Sequence, residues 1–206
     1  MKTIKKGLKY LSLIFYYAVA RHLPDSYHLQ PLGSFSKHMR RISCKNIFKS
    51  MGANINIDRG VTFGSGSKIV LKDNAKVGIN CQMPDNIRVG CDVMIGPDVL
   101  ILGHNHEFSN LETPMRLQGI KKAQPVSIED DVWIGARVII LPGVRIGQGS
   151  IIGAGAVVAK NIPSYSICVG NPARIIRSRK EAWKRFLLWW IKQKKTFVII
   201  LYTLYL

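Results

Sequence analysis

The chain has 206 residues, 47% of them apolar and 20% charged. That is one domain of ordinary size plus extra segments, with material for a substantial core, and it excludes a disordered or coiled-coil chain. The net charge of +18 belongs to the ends: residues 1–50 carry ten bases and one acid, residues 174–206 nine and one, while residues 51–173 are nearly balanced.

In chain order, the N-terminus imitates an export signal, with four lysines by Lys9, an apolar stretch from Tyr10, and Ala18-Val19-Ala20 in small-x-small form. Three tyrosines (Tyr10, Tyr16, Tyr17) and an amphipathic pattern, with Leu8, Leu11, Ile14, Phe15 and Ala18 on one face, favour a retained surface helix instead. Cys44, Cys81, Cys91 and Cys168 lack zinc-knuckle or redox spacing and are too sparse for a disulfide framework, which suggests a reducing, cytoplasmic compartment.

From Ile57 an aliphatic or aromatic residue returns every sixth position. Ile57 and Phe63 begin the series, the phase shifts by two, and it resumes at Val77, Met83, Val89, Ile95 and Ile101. After a break it restarts at Ile128 and continues through Ile134, Ile140, Ile146, Ile152 and Val158. Glycine often follows (Gly64, Gly78, Gly90, Gly96, Gly135, Gly147, Gly153), and a smaller residue recurs four places on, as at Val93, Val132, Ser150 and Ala156.

This period fits neither a helix nor a hairpin array. It fits short straight segments wound into a coil whose neighbouring turns pair in parallel about 4.8 Å apart. The glycines, with Asn80 and Asp92, suit corners of unusual φ. A β-sandwich with chance spacing would not hold phase from Ile128 to Val158. The break at 103–124 carries His104, Asn105, His106, Glu107, Thr113, Pro114, Lys121 and Lys122, and a polar loop thrown from a regular solenoid is usually functional.

The run Pro125-Val-Ser-Ile-Glu-Asp-Asp-Val-Trp-Ile-Gly-Ala, with Ile152-Gly-Ala-Gly-Ala-Val-Val-Ala-Lys160 and Gly170-Asn-Pro-Ala-Arg174, resembles the hexapeptide-repeat O-acetyltransferases, the group of the maltose, galactoside and streptogramin enzymes. The resemblance covers residues 51–177, and Ala20-Arg-His-Leu-Pro24 looks more like the capsule and O-antigen acetyltransferases. It implies a mainly β fold: a left-handed parallel β-helix with an inserted active-site loop (103–124) and helical extensions at 1–50 and 178–206. It also implies homotrimers with active sites between subunits, acetyl-CoA as co-substrate, and transfer to a sugar hydroxyl of a bacterial cell-surface polysaccharide or its lipid-linked precursor.

Such a transfer needs a base, a donor to the thioester oxygen, and alignment of both substrates. Of five histidines, His22, His28 and His38 precede the coil without catalytic context, and His104 and His106 open the loop. The resemblance selects His106 as base, with His104 the runner-up. It places the oxyanion donor at the backbone N–H of Ala136, where several relatives carry Ser. Trp133 would line the pantetheine channel or simply pack. The coenzyme positions are Ala154 and Ala159 (main chain), Lys160, Arg174 and Arg177. Asn80 with Asp85 resembles the acceptor-lining Asn-x4-Asp stretch once gapped; the alternative for Asn80 is a coil corner. No metal is called for.

The tail mixes Lys180, Lys184, Arg185, Lys192, Lys194 and Lys195 with Trp183, Phe186, Leu187, Trp189 and Trp190, and Phe197–Leu206 is apolar but shorter than the roughly 20 residues of a spanning helix. Bases beside an apolar stripe mark an interfacial helix on the inner membrane surface. Nucleic acid is disfavoured because no polar basic face forms. Packing of the tails on the trimer is the other reading. Rival functions are a non-catalytic membrane-tethered β-helix scaffold and an N- or serine acetyltransferase.

Overall fold

The computed structural model describes residues 2–27, 30–181 and 183–186. Helices α1 (Lys2–Ala18) and α2 (Leu32–Ile47) precede a left-handed parallel β-helix with three faces. The first face stacks Ser50–Met51, Val70–Leu71, Arg88–Val89, Ser127–Ile128 and Arg145–Ile146. The second stacks Asn56–Ile57, Lys76–Val77, Met94–Ile95, Trp133–Ile134, Ile151–Ile152 and Ser166–Val169, and is closed by the antiparallel strand Arg174–Ser178. The third stacks Leu100–Ile101, Ile139–Ile140 and Val157–Val158, continued through Gln82 and Thr62 by single bridges.

The six-residue period is the length of one face. On most of the two-residue strands the first side chain is the more exposed and the second is buried, as at Arg88 and Val89, whereas Asn56 and Ile57 are both buried. Ile57, Phe63, Val77, Met83, Val89, Ile95, Ile128, Ile134, Ile140, Ile146, Ile152 and Val158 all lie inside, each contributing about 1.5–3 kcal/mol on burial. Ser150 fills a core position by giving its hydroxyl proton to Pro163 O at 2.8 Å. Leu71 is also buried, so the two-residue shift falls at Gly64–Ser67. A Cβ on Gly66 would lie 2.8 Å from Ile47 Cγ2; the extra residues go around the C-terminal end of α2.

The corners correct one expectation. Positive φ occurs three residues after the inward side chain, at Asn74, Asn80, Asp92, Asp98 and Asp131, and at Gly143, Gly149 and Gly155. Asn and Asp tolerate this region through local hydrogen bonding. Most glycines directly after the inward residue do not have positive φ. They serve close approach instead: a Cβ on Gly78 would lie 2.6 Å from the Gly96 backbone.

The helices close the first end of the coil, where a solenoid otherwise leaves its core open. Tyr16 is fully buried against Phe63, ring centroids 4.6 Å apart, and its hydroxyl donates to Val61 O at 3.0 Å. Arg40 of α2, fully buried, donates to Ile57 O (2.8 Å), Pro24 O (2.9 Å) and Ser26 Oγ (3.1 Å), with Asp58 Oδ1 at 3.6 Å. Burial pulls its guanidinium below the usual value, opposed by Asp58.

The apolar face of α1 lies mostly at the surface, as expected for a surface helix, with Phe15 alone of its five residues packed against the core. Leu8, Leu11 and Ile14 are 50%, 67% and 66% exposed, whereas Ser12, Tyr16 and Ala20 are buried. The buried side makes hydrogen bonds: Asn46 Nδ2 donates to Ser12 Oγ at 3.1 Å, and Tyr16 reaches the coil. At the other end Trp183 and Phe186 are exposed. His28, Leu187, Trp189, Trp190, Lys192, Lys194, Lys195 and Phe197–Leu206 lie outside the described residues. Among the described residues no helix is long and apolar enough to cross a membrane.

Candidate active site

The inserted loop leaves the third face after Ile101 and is zipped at its root. His106 bridges Ile120, Glu107 N–H donates to Gly119 O (3.1 Å), Lys121 N–H to Asn105 O (2.8 Å), and Gln124 N–H to Gly103 O (3.0 Å). Farther out, Gln118 Nε2 donates to Asn110 O and Thr113 O. Lys121 Nζ lies 3.7 Å from Glu107 Oε2 and 4.1 Å from the Phe108 ring centroid. His104 and His106 are thus exposed imidazoles on an ordered base. His104 shares a hollow of about 440 Å³ with Ser65, Gln82, Asp85 and Asn86, and Ser65 Oγ donates to Asp85 Oδ2 at 3.1 Å. His106 does not line this hollow.

Ala136 stands at the corner between the second and third faces. On either side of it, Gly135 N–H donates to Ile152 O (2.8 Å) and Arg137 N–H to Pro97 O (2.9 Å). Among the described residues no acceptor takes the Ala136 N–H. The absent side chain of Gly96 keeps it open, because a Cβ there would lie 2.8 Å from Ala136 N. One coil on, Gly135 stands in the same relation to Ala154, at 2.6 Å. Sequence reasoning missed these two glycines as keepers of outward N–H groups; their place after the inward aliphatic was the available signal.

Trp133 is 51% exposed on the second face, in register with Met94 and Ile151, and Ile151 with Ile167, which pairs with Arg177. Trp133 and Arg177 are therefore three strand spacings apart, roughly 14 Å. Arg174 pairs with Val169 in the same closing strand, and Ala159 and Lys160 are exposed at the far corner of the third face. Among the described residues Lys160, Arg174 and Arg177 have no carboxylate partner.

The two halves of the candidate site are separated within one chain. Ile139 pairs with Leu100, which sets Ala136 level with Pro97. His104 and His106 lie beyond the other end of that face, seven and nine residues past Pro97. Asn80 sits at the Ala136 corner, not with Asp85: it has φ 57°, and its Nδ2 donates to Asp98 Oδ1 at 3.2 Å. Among the described residues no group of three or more His, Cys, Asp or Glu side chains is placed to hold a metal.

Residues 125–160 match the model of the bacterial transferase hexapeptide family (six repeats). Galactoside O-acetyltransferase of Escherichia coli K12 is 34% identical over 144 residues, 69% of this chain and 70% of that protein. The structure of a maltose O-acetyltransferase from Clostridium difficile 630 aligns at 32% identity and TM-score 0.64, covering 85% of this chain and 84% of that one. A galactoside acetyltransferase in complex with coenzyme A aligns at 29% identity and TM-score 0.68, covering 85% and 82%. Two yeast sequences, from Schizosaccharomyces pombe and Saccharomyces cerevisiae, are 42% and 41% identical, and the chain spans 58% and 59% of their lengths.

Proposed function

The chain belongs to the hexapeptide-repeat acetyltransferase family, and from that premise we propose that it is an acetyl-CoA-dependent O-acetyltransferase acting on a sugar hydroxyl of a bacterial cell-surface polysaccharide or its lipid-linked precursor. The observation that carries this reading is the unpartnered Ala136 N–H, held open by Gly96 beside the exposed Trp133. A backbone donor fixed by a rigid coil costs no reorganisation when a tetrahedral oxyanion forms. The galactoside and maltose relatives support a sugar acceptor.

In the proposed reaction His106 accepts the proton of the acceptor hydroxyl as its oxygen attacks the thioester carbonyl carbon. Ala136 N–H donates to the oxygen that gains negative charge. On collapse the carbon–sulfur bond breaks, and the His106 imidazolium returns its proton to the departing thiolate. Trp133 flanks the pantetheine arm, Ala154 and Ala159 offer main-chain groups to it, and Lys160, Arg174 and Arg177 pair with its phosphates. Asp85 orients the sugar, while Asn80 turns the coil corner. His106 and Ala136 must both reach one reacting carbon. The reading places the completed site between copies of a homotrimer, as the resemblance to the sugar acetyltransferases implies.

The protein acts on the inner membrane surface. Bases surround exposed apolar residues on both helices: Leu8, Leu11 and Ile14 on α1, and Leu32, Phe35 and Ile42 on α2. The C-terminal bases and aromatics add to this surface. An acceptor array with labelled acetyl-CoA tests the activity. Transfer to neutral or anionic saccharides supports it, whereas exclusive transfer to amines or serine would replace it with another acetyltransferase reading. A coenzyme A thermal-shift assay without stabilisation would leave a scaffold.

A further inference from the structure

Next to the hollow of His104 and Asp85, on the first face of the coil, lies a second hollow of about 440 Å³ ringed by Lys49, Lys68, Arg88 and Lys122. These four bases come from separate places: the joint after α2, the turn into the second coil, a strand of the third coil, and the returning limb of the inserted loop. Only the folded chain brings them together. No carboxylate lines the hollow. The neighbouring acids of that face are already engaged. Arg145 Nε and Gln148 N–H donate to Glu129 at 2.7 and 2.9 Å, and Asp130 takes Cys91 N–H at 2.8 Å with Lys72 Nζ at 3.6 Å. Lys49 and Arg88 also border a hollow lined by Glu129 and Asp130, but among the described residues none of the four bases forms an ion pair, and a bound anion turns their mutual repulsion into attraction.

Asn86 joins this hollow to the acceptor hollow, since it lines both. Its Oδ1 is buried and receives no hydrogen bond among the described residues. A buried acceptor left unmet is destabilising, and a ligand hydroxyl removes that penalty.

We propose that the acceptor is an anionic saccharide. Its sugar ring occupies the hollow of Asp85 and His104 with the reacting hydroxyl turned toward His106, a neighbouring hydroxyl donates to Asn86 Oδ1, and a phosphate or carboxylate of the same molecule is held by Lys49, Lys68, Arg88 and Lys122. This rests on the acetyl-transfer reading for the first hollow, but the anion site is testable without it.

The full chain, saturated with coenzyme A so that the proposed coenzyme site is filled, is titrated with inorganic pyrophosphate and with glucuronate by calorimetry. Arg88→Gln/Lys122→Gln should weaken binding of the favoured anion at least tenfold, and Arg88→Lys/Lys122→Arg should restore most of it. The preference between the two probes separates a phosphate from a carboxylate. Steady-state KM is then measured for galactose 1-phosphate, a nitrophenyl glucuronide and neutral nitrophenyl galactoside. The Gln double variant should raise KM for one anionic acceptor about tenfold and leave that for the neutral one within twofold. Pyrophosphate and glucuronate binding unchanged by the double variant, or lost equally in the charge-preserving variant, overturns the proposal. So does an equal KM change for neutral and anionic sugars. Variant-sensitive anion binding without acetylation of any acceptor would keep the anion site and remove the transferase reading.

Discussion

His106 is the side chain through which the acceptor proton passes in the proposed chemistry. His106→Ala should lower kcat by about 10²–10⁴-fold while coenzyme A binding, followed by thermal shift, is retained. His104→Ala should do less, since its hollow with Asp85 bears on acceptor binding; the reverse order in kinetics would transfer the base to His104. Lys160→Ala and Arg174→Ala should raise KM for acetyl-CoA more than for the acceptor, because phosphate pairing is shared by ground and transition states. A selective rise in the acceptor KM would move them to the other substrate. Arg40 is a different kind of residue: it ties α2 to the 23–26 segment and the first coil. Arg40→Leu strands Asp58 in a buried place and should cost roughly 3–5 kcal/mol in urea unfolding. The thiols report the packing independently. Burial pushes Cys44 well up, raises Cys81 to about 11 and raises Cys168, while Cys91 is half-buried. One thiol, Cys91, should react rapidly with a disulfide reagent at pH 8, and all four after denaturation.

At the scale of elements, the helices and the tail carry most of the positive charge and none of the proposed chemistry. Each base beside an anionic leaflet contributes about 1 kcal/mol, and the exposed apolar stripes of α1 and α2 add burial. Deleting 183–206 should weaken flotation with anionic liposomes and leave acetylation of a soluble acceptor nearly unchanged, because the closing strand ends at Ser178. Leu11→Glu/Ile14→Glu in the full chain should weaken flotation further without lowering thermal stability, since both side chains face solvent. Loss of the trimeric state in either variant would make that segment a packing element.

The whole molecule decides whether a site exists at all. If His106 of one copy serves Ala136 of another, two inactive variants complement each other. His106→Ala and Gly96→Val, refolded together in equal amounts, should recover about a quarter of wild-type activity, the share of interfaces with both halves intact. Each alone should stay inactive, and a mixture with no recovery would place the site within one protomer.

The six-residue period determined the coil by itself, because one face of a parallel β-helix is six residues long and each face must bury its second strand residue. It also marked the loop, since a regular solenoid can throw out a polar segment only where the period stops. Motif resemblance singled out His106, Ala136 and Lys160 as candidates, but what they touch lay outside its reach. That the Ala136 N–H stays open depends on Gly96, forty residues earlier in the chain but stacked directly beneath it. Which side of α1 meets the coil was visible only in the fold, where Asn46 bonds Ser12, Tyr16 bonds Val61 O, and Leu13, Phe15 and Tyr17 pack on the core. The ring of Lys49, Lys68, Arg88 and Lys122 was invisible in sequence for the same reason: winding brings distant residues to one place, and local order carries no record of which turns will lie side by side.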